Sequence, residues 1–317
     1  AAEVTRLAEF GLAREVGPAA SRGGRRSYLV DLDDAIRFGG IAIGSTALSV
    51  GITDGRLTVL AARTLACDIQ QGPEVVLRTA LDGMAELVDQ LNVDSLMGVG
   101  VGVPGPVDFD LGIPVNPPIM PGWDRYPVRD TVSQELRCPV VLDNDVNVLA
   151  LGEQHNGVAK SVSDFLFVKI GTGIGCGIVI DGEVYRGADG CAGDIGHIRI
   201  DDTGPTCACG NVGCLEAFAG GAALAREAET AARSGRSPEL ARLLEEKGSL
   251  TAADIGTAVS HGDAQAVHLI RDCGQRVGRV LASLVSFFNP ALIVIGGRVT
   301  GLGHPLLAEI RGVTYRR

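Results

Sequence analysis

The segment IAIGSTALSVGITDG, residues 41–55, has a near copy in VKIGTGIGCGIVIDG, residues 168–182. With the two laid over one another, Ile43 falls on Ile170, Gly44 on Gly171, Asp54 on Asp181 and Gly55 on Gly182, all at one constant offset. Each copy reads as two strands joined by a tight glycine turn. Each also opens a lobe-sized run of further strand and helix patterns. A chain that repeats such a hairpin at the head of two runs is constrained to a duplicated α/β architecture, since each copy needs its own sheet and helical cover.

The segments that follow the first copy fit that plan. EVVLRTALDGMAELVDQL has helical periodicity, SLMGVGVGVPGPVDF predicts a buried strand running into a loop, and CPVVLDND predicts a strand that ends on carboxylates. The lobes are expected to meet near Ala150, giving a first lobe over 33–150, a second over 151–317 and a ligand cleft between them. With 46% hydrophobic and 4% aromatic residues and a mean hydropathy of +0.23, the chain is built for aliphatic packing. No apolar run reaches membrane-spanning length and AAEVTRLAEF has no signal-peptide core, so the expectation is a cytoplasmic protein without a membrane partner.

Ahead of the first lobe, Val4, Leu7 and Ala8 have helical spacing and stop at Gly11, and LAREV and RSYLV then read as strands joined by the turn-rich GPAASRGGR. A helix followed by a two-stranded wing is the tail of a winged helix, here over 1–32. The net charge of −10 excludes a nucleic-acid platform covering the whole surface, yet residues 1–26 alone carry five arginines and three glutamates, a local +2. Arg22, Arg25 and Arg26 sit in the glycine loop, where they suit phosphate contact and minor-groove insertion. The bland reading of the same loop is a solvated basic linker.

Of eight cysteines, Cys67, Cys138, Cys176, Cys191 and Cys273 are scattered singly and are expected to be buried thiols. Cys207, Cys209 and Cys214 instead cluster in CACGNVGCLEAF, with His197 ten residues upstream in GDIGHIRI. Three thiolates and one imidazole form a closed tetrahedral set suited to structural zinc, with no position left for a catalytic water. A loop of reduced buried cysteines is the alternative.

The H…C-x-C-G-x2-G-C-x-E constellation, the two glycine hairpins, LDNDVN, GVPGPVD, NPPIMPGW and NPALIVIGG together resemble the ROK family of repressors and sugar kinases, from about Phe38 onward. The resemblance implies a duplicated actin/hexokinase-like, ribonuclease H-like two-lobe fold. It makes Asn144 and Asp145 sugar contacts, Asp145 matching the kinases' general base, and adds Asp194, His197, Glu216 and Asn116 to that set. For Asp143–Asp145 the competing reading is a cap on a helix beginning near Asn147, the better reading for Asp143 but not for Asp145. Asn116, beside prolines, could equally be a turn former. Gly44, Ser45, Thr46, Gly171, Thr172 and Gly173 match the kinases' nucleotide-binding turns.

Two positions depart from the kinase pattern. Where ROK kinases carry an aspartate that helps hold magnesium and phosphates, this chain has Ala42, which offers no oxygen to a hard cation. Asp194 stands where the family has glutamate, and its carboxylate is one methylene shorter. The N-terminal segment resembles the end of the winged helix-turn-helix of ROK repressors, which implies further helices before Ala1, and the family pattern implies a strand and closing helix after Arg317. The reading that follows is a sugar-responsive regulator, a repressor, that binds a DNA operator and a small sugar or amino-sugar effector, assembles as a dimer or tetramer, holds structural Zn2+ and uses no ATP or Mg2+. An ATP-dependent, glucokinase-like sugar kinase is the alternative, and a ligand-blind scaffold a third.

Overall fold

The computed structural model describes residues 2–18 and 28–316, and its contacts divide the chain into two compact units, 1–145 and 146–317. The first unit opens with helix α1 (Ala2–Glu9), stopped by Gly11 at φ +66, and an antiparallel ribbon of strands β1 (Ala13–Pro18) and β2 (Tyr28–Leu32). The ribbon pairs Arg14 opposite Asp31, and its register shifts between Glu15 and Gly17. Arg22, Arg25 and Arg26 lie outside the described residues.

A five-stranded sheet follows, built from β3 (Arg37–Ile43), β4 (Ala47–Asp54), β5 (Val59–Ala66), β6 (Gly98–Val103) and, after the short hairpin β7 (Val107–Asp108) and β8 (Ile113–Pro114), β9 (Val140–Asn144). Its order is β5-β4-β3-β6-β9, with β3 antiparallel to β4 and parallel to β6. Alternate residues Ile41, Ile43, Leu48, Val50 and Ile52 turn inward against Val76, Leu77, Ala80, Met84 and Leu87 of α2 (Pro73–Leu91), whose apolar positions recur at helical spacing. Helix α3 (Val128–Leu136) adds Val128 and Val132, and Trp123, fully buried, donates its indole N–H to the Ile69 carbonyl at 3.3 Å.

The second unit repeats the arrangement. Strands β10 (Phe165–Ile170) and β11 (Ile174–Ile180) form an antiparallel hairpin, β12 (Glu183–Val184) extends β11, and β13 (Leu292–Gly296) runs parallel to β10. In each unit an antiparallel glycine hairpin therefore has a parallel neighbour on its first strand, which is the structural form of the internal repeat. Between β9 and β10 lies α4 (Asp145–Asn156), and the rest of the unit is helical: α5 (Leu215–Ala219), α6 (Gly221–Arg233), α7 (Pro238–Lys247), α8 (Ala252–Ser260), α9 (Ala264–Phe288) and α10 (His304–Thr314). The hairpin's inward residues Val168, Ile170, Ile174 and Cys176 share one core with Ile270, Cys273, Val277 and Leu281 of α9.

Two expectations change here. Helix α4 starts at Asp145, not near Asn147, because β9 passes into it without a loop, and Asp143 is a buried strand residue whose carboxylate accepts the Asn144 N–H at 2.7 Å. Cys191 is exposed rather than buried, since it stands in the polar, glycine-rich turn ADGCAGD and not on a strand.

Helix α9 has a cap whose removal is measurable. The Asp263 carboxylate accepts the Ala266 N–H at 2.9 Å and the Ser237 hydroxyl, itself fully buried, at 2.6 Å. Asp263→Ala should therefore cost about 2 kcal/mol, one part for the cap and one for the stranded hydroxyl. Urea titration should show a lower midpoint at an unchanged slope.

Candidate metal centre and sugar-facing residues

The cysteine loop is a tight hairpin. Cys207 donates its backbone N–H to the Asn211 carbonyl at 2.7 Å, Gly210 donates back to Cys207 at 2.9 Å, and Thr206 bridges Val212. The exit strand turns back on residues 198–200 through Ile200 N–H to Gly213 at 2.8 Å and Leu215 N–H to Ile198 at 2.9 Å. Gly213 sits at φ +76 with the Asp201 carbonyl oxygen only 1.5 Å from where a Cβ would be, so no other residue fits. Cys214 then becomes the N-cap of α5.

This folding brings one donor atom each from His197, Cys207, Cys209 and Cys214 within 4.8 Å of one another. Cys207 Sγ lies 3.5 Å from His197 Nδ1 and Cys209 Sγ 3.8 Å from Cys214 Sγ, too far apart for a disulfide. Cys207 and Cys214 are buried. Burial, with the neighbouring Cys214 and Cys209, pushes the Cys207 thiol up to about 12, whereas at Cys209 the effect of burial is outweighed by hydrogen bonds from the Asn211 backbone, Cys207, Cys214 and the Asn211 amide, and the thiol is lowered. Left alone, the cluster cannot hold three thiolates side by side. A cation removes that conflict, and the donor set can hold a metal ion.

His197 turns Nδ1 to the cysteines and leaves Nε2 3.8 Å from Asp194 Oδ1. Glu216, in the first turn of α5, accepts the Ile174 N–H at 2.9 Å, and its Oε2 lies 2.2 Å from where a Cβ on Gly173 would stand. The second glycine hairpin is thus fastened to the helix that follows the cysteine loop through a carboxylate. Its carbonyls are also engaged: Gly171 accepts from Gly221 at 2.7 Å and Thr172 from Ala222 at 3.3 Å, at the start of α6.

The remaining candidates belong to the first unit. Asn144 donates its side-chain amide to the Gly105 carbonyl at 2.5 Å, tying the end of β9 to the GVPGPVD loop, and half-buried Asp145 follows it as the first residue of α4. Asn116 is exposed at φ +43 and its backbone N–H donates to Asp124 at 2.8 Å, so a turn is at least one of its duties. In the first hairpin Gly44 N–H bonds the Ala47 carbonyl at 2.9 Å, Ser45 and Thr46 accept from Ile69 and Cys67, and Ala42 presents only its methyl beside Ser49 and Gly102.

Sequence reasoning missed the residues that brace the cysteine loop. Asn211 donates its amide to Cys209 Sγ at 3.5 Å, and a polar side chain beside a clustered cysteine was a readable hint. Arg276 of α9 stacks over the Phe218 ring at 4.2 Å, a contact between distant segments that no local pattern announces.

The isolated thiols give a direct test of burial. Burial pushes Cys176 and Cys273 up to about 12, so both stay protonated in the native state while the unfolded chain's thiols ionise from about pH 9. Above that pH the unfolded state binds fewer protons than the native one, and stability falls as pH rises. Alkylation at pH 8 should label Cys191 in the folded protein and reach Cys176 and Cys273 only after denaturation, as read by peptide mass spectrometry.

The chain is similar to proteins of two kinds. The xylose repressor of Caldicellulosiruptor bescii is 31% identical over 98% of this chain and 78% of its own length, and the glucokinase of Halalkalibacterium halodurans is 31% identical over 86% of this chain and 83% of its own. A crystal structure of a ROK family transcriptional regulator, a homologue of the E. coli MLC protein, superposes with a TM-score of 0.83 at 26% identity, covering 99% of this chain and 79% of that one. Residues 38–316 match the ROK family model, and with the α/β fold shared with that regulator the chain belongs to the ROK family.

Proposed function

We propose that this chain is a sugar-responsive transcriptional regulator, a repressor whose kinase-like body senses a small sugar or amino sugar and whose N-terminal winged-helix segment, 1–32, contacts an operator. One observation carries the reading: similarity to the xylose repressor extends over 98% of the chain, including the helix and ribbon that precede the family match at residue 38. Ala42 points the same way, since it removes a magnesium and phosphate ligand.

In this reading Asn144, Asp145, Asp194, His197 and Glu216 hold the sugar's hydroxyls, with Asn116 a further contact. His197 and the three cysteines hold zinc. Four such donors at ordinary zinc–ligand lengths stand about 3.5–3.8 Å apart in a tetrahedron; two pairs lie at 3.5 and 3.8 Å, and all four donors fall within 4.8 Å of one another. The ion is structural, fixing the loop that carries Glu216 and turning His197 Nε2 outward. Sugar binding shifts the population of the protein's states, and a dimer or tetramer converts that shift into a changed spacing of DNA-reading heads.

The test is DNA binding by the full protein, first to mixed-sequence duplex and then to duplexes selected from a random library, with and without pentoses, hexoses and amino sugars that include xylose and glucose. Arg25→Ala/Arg26→Ala should lower the magnitude of the log–log salt slope by about 2, because two phosphate contacts and their counterions are lost. An unchanged slope makes the loop a linker. Identical affinity with and without every sugar that binds removes the sensor.

The 31% identity to a glucokinase favours the second reading, an ATP-dependent sugar kinase with Asp145 as general base and Gly44, Ser45, Thr46, Gly171, Thr172 and Gly173 at the nucleotide.

A further inference from the structure

The β1–β2 ribbon has little core of its own to hold it in place. Val16, Tyr28, Leu29, Val30 and Leu32 are all exposed, each at 42% or more. What lies at its base is more ordered. The link from β2 to β3 is a closed turn in which Asp33 accepts the Ala35 and Ile36 N–H groups, through its carboxylate at 2.8 Å and its carbonyl at 3.2 Å, while its own N–H donates to Leu12 at 3.2 Å. Ile36, 4% exposed, packs beneath Gly55 in the turn between β4 and β5, where a Cβ would stand 3.1 Å from Ile36 Cγ2.

The residue after that glycine reaches back to the ribbon. Arg56 Nη2 lies 2.5 Å from both carboxylate oxygens of Asp31. Asp31 faces Arg14 across the ladder, but Arg14 pairs with Asp34 at 2.6 Å, leaving Asp31 to Arg56. The turn that presents Arg56 is itself fixed, because Asp54 Oδ1 accepts the Arg56 N–H at 2.9 Å and the Thr58 N–H at 2.8 Å. These hydrogen bonds hold the Asp54 carboxyl below its usual range.

We infer that the β4–β5 turn is a clasp that sets the direction of the ribbon, with Arg56 as its positioning residue. The inference rests on the ribbon being part of the DNA-contacting segment. Strand β4 starts directly after the first glycine turn and ends at the clasp, so a single strand of about 25 Å joins the two. A shift at the hairpin end is therefore delivered to the ribbon's base. An exposed ion pair contributes little to global stability. It can still choose between orientations of an element that has few other contacts.

Hydrogen exchange of the full chain, without DNA, tests this. In Arg56→Ala the peptide covering residues 28–36 should exchange about threefold to fivefold faster, Arg56→Glu should go further, and the swapped pair Asp31→Arg/Arg56→Glu should return to the parent rate after correction for intrinsic exchange. Raising salt to 1 M should speed this peptide more in the parent than in Arg56→Ala, where only the Arg14–Asp34 pair is left to screen. Unchanged exchange in Arg56→Ala, or a swapped pair that restores nothing, overturns the clasp. The salt slope of DNA binding judges the ribbon's role separately: a chain that ignores DNA yet recovers in the swap keeps the clasp and loses only the DNA reading.

Discussion

Cys214→Ser should strip the protein of its metal and melt the segment from His197 to Glu216. The parent should carry one zinc per chain by elemental analysis and the variant well under a tenth of that, because removing a fully buried ligand opens the tetrahedral set. Structural zinc binds small peptides with roughly 10–16 kcal/mol, which bounds what is lost. Most of the loss should appear locally, since the core against α9 has its own packing. Amide exchange in residues 197–216 should rise by orders of magnitude, and sugar affinity should fall with it, because Glu216 and His197 both depend on the loop. Asn211→Ala, which deletes only the hydrogen bond to Cys209, should retain the metal and release it faster to a chelator. A zinc-free parent with a protected loop would contradict the assignment.

The second large effect is an absence of turnover. Incubated with ATP, magnesium and any sugar that it binds, the protein should form no sugar phosphate above background. A positioned base contributes about 10²–10⁴-fold, but only to a phosphoryl group held in line, and Ala42 provides none of the anchoring oxygen. Asp145→Asn should instead weaken sugar binding and the DNA response together, since the carboxylate then acts only as an acceptor for a hydroxyl. Ala42→Asp should introduce weak magnesium-dependent nucleotide binding. Robust phosphorylation by the parent that Asp145→Asn abolishes would make the kinase reading correct.

The features legible in the sequence were those written in short-range patterns. The two hairpins could be read because a glycine turn between alternating aliphatic residues has few other folded forms, and α2 because Val76, Ala80, Met84 and Leu87 keep helical spacing over about three turns. The gathering of His197 with the three cysteines could be read because so few structures call for that combination. The start of α4 escaped, since Asn144 and Asp145 are equally acceptable at a strand end, a cap or a first turn. Cys191 escaped because composition cannot separate a thiol on a strand from one in a glycine turn. The Arg56–Asp31 pair and the Arg276–Phe218 stack join residues from separate elements, and only the completed fold brings them together.

The crowding of Glu216 against Gly173 bears on how such chains age. With Oε2 2.2 Å from the position of a Cβ, every side chain at 173 would expel the carboxylate, whether or not a phosphate ever visits the turn. A lineage that gave up phosphoryl transfer but kept its cysteine loop would still lose the Glu216 bond to the Ile174 N–H by drifting there. The glycine signature would then outlive the activity for which it is usually read, as a fossil preserved by a neighbour rather than by a ligand.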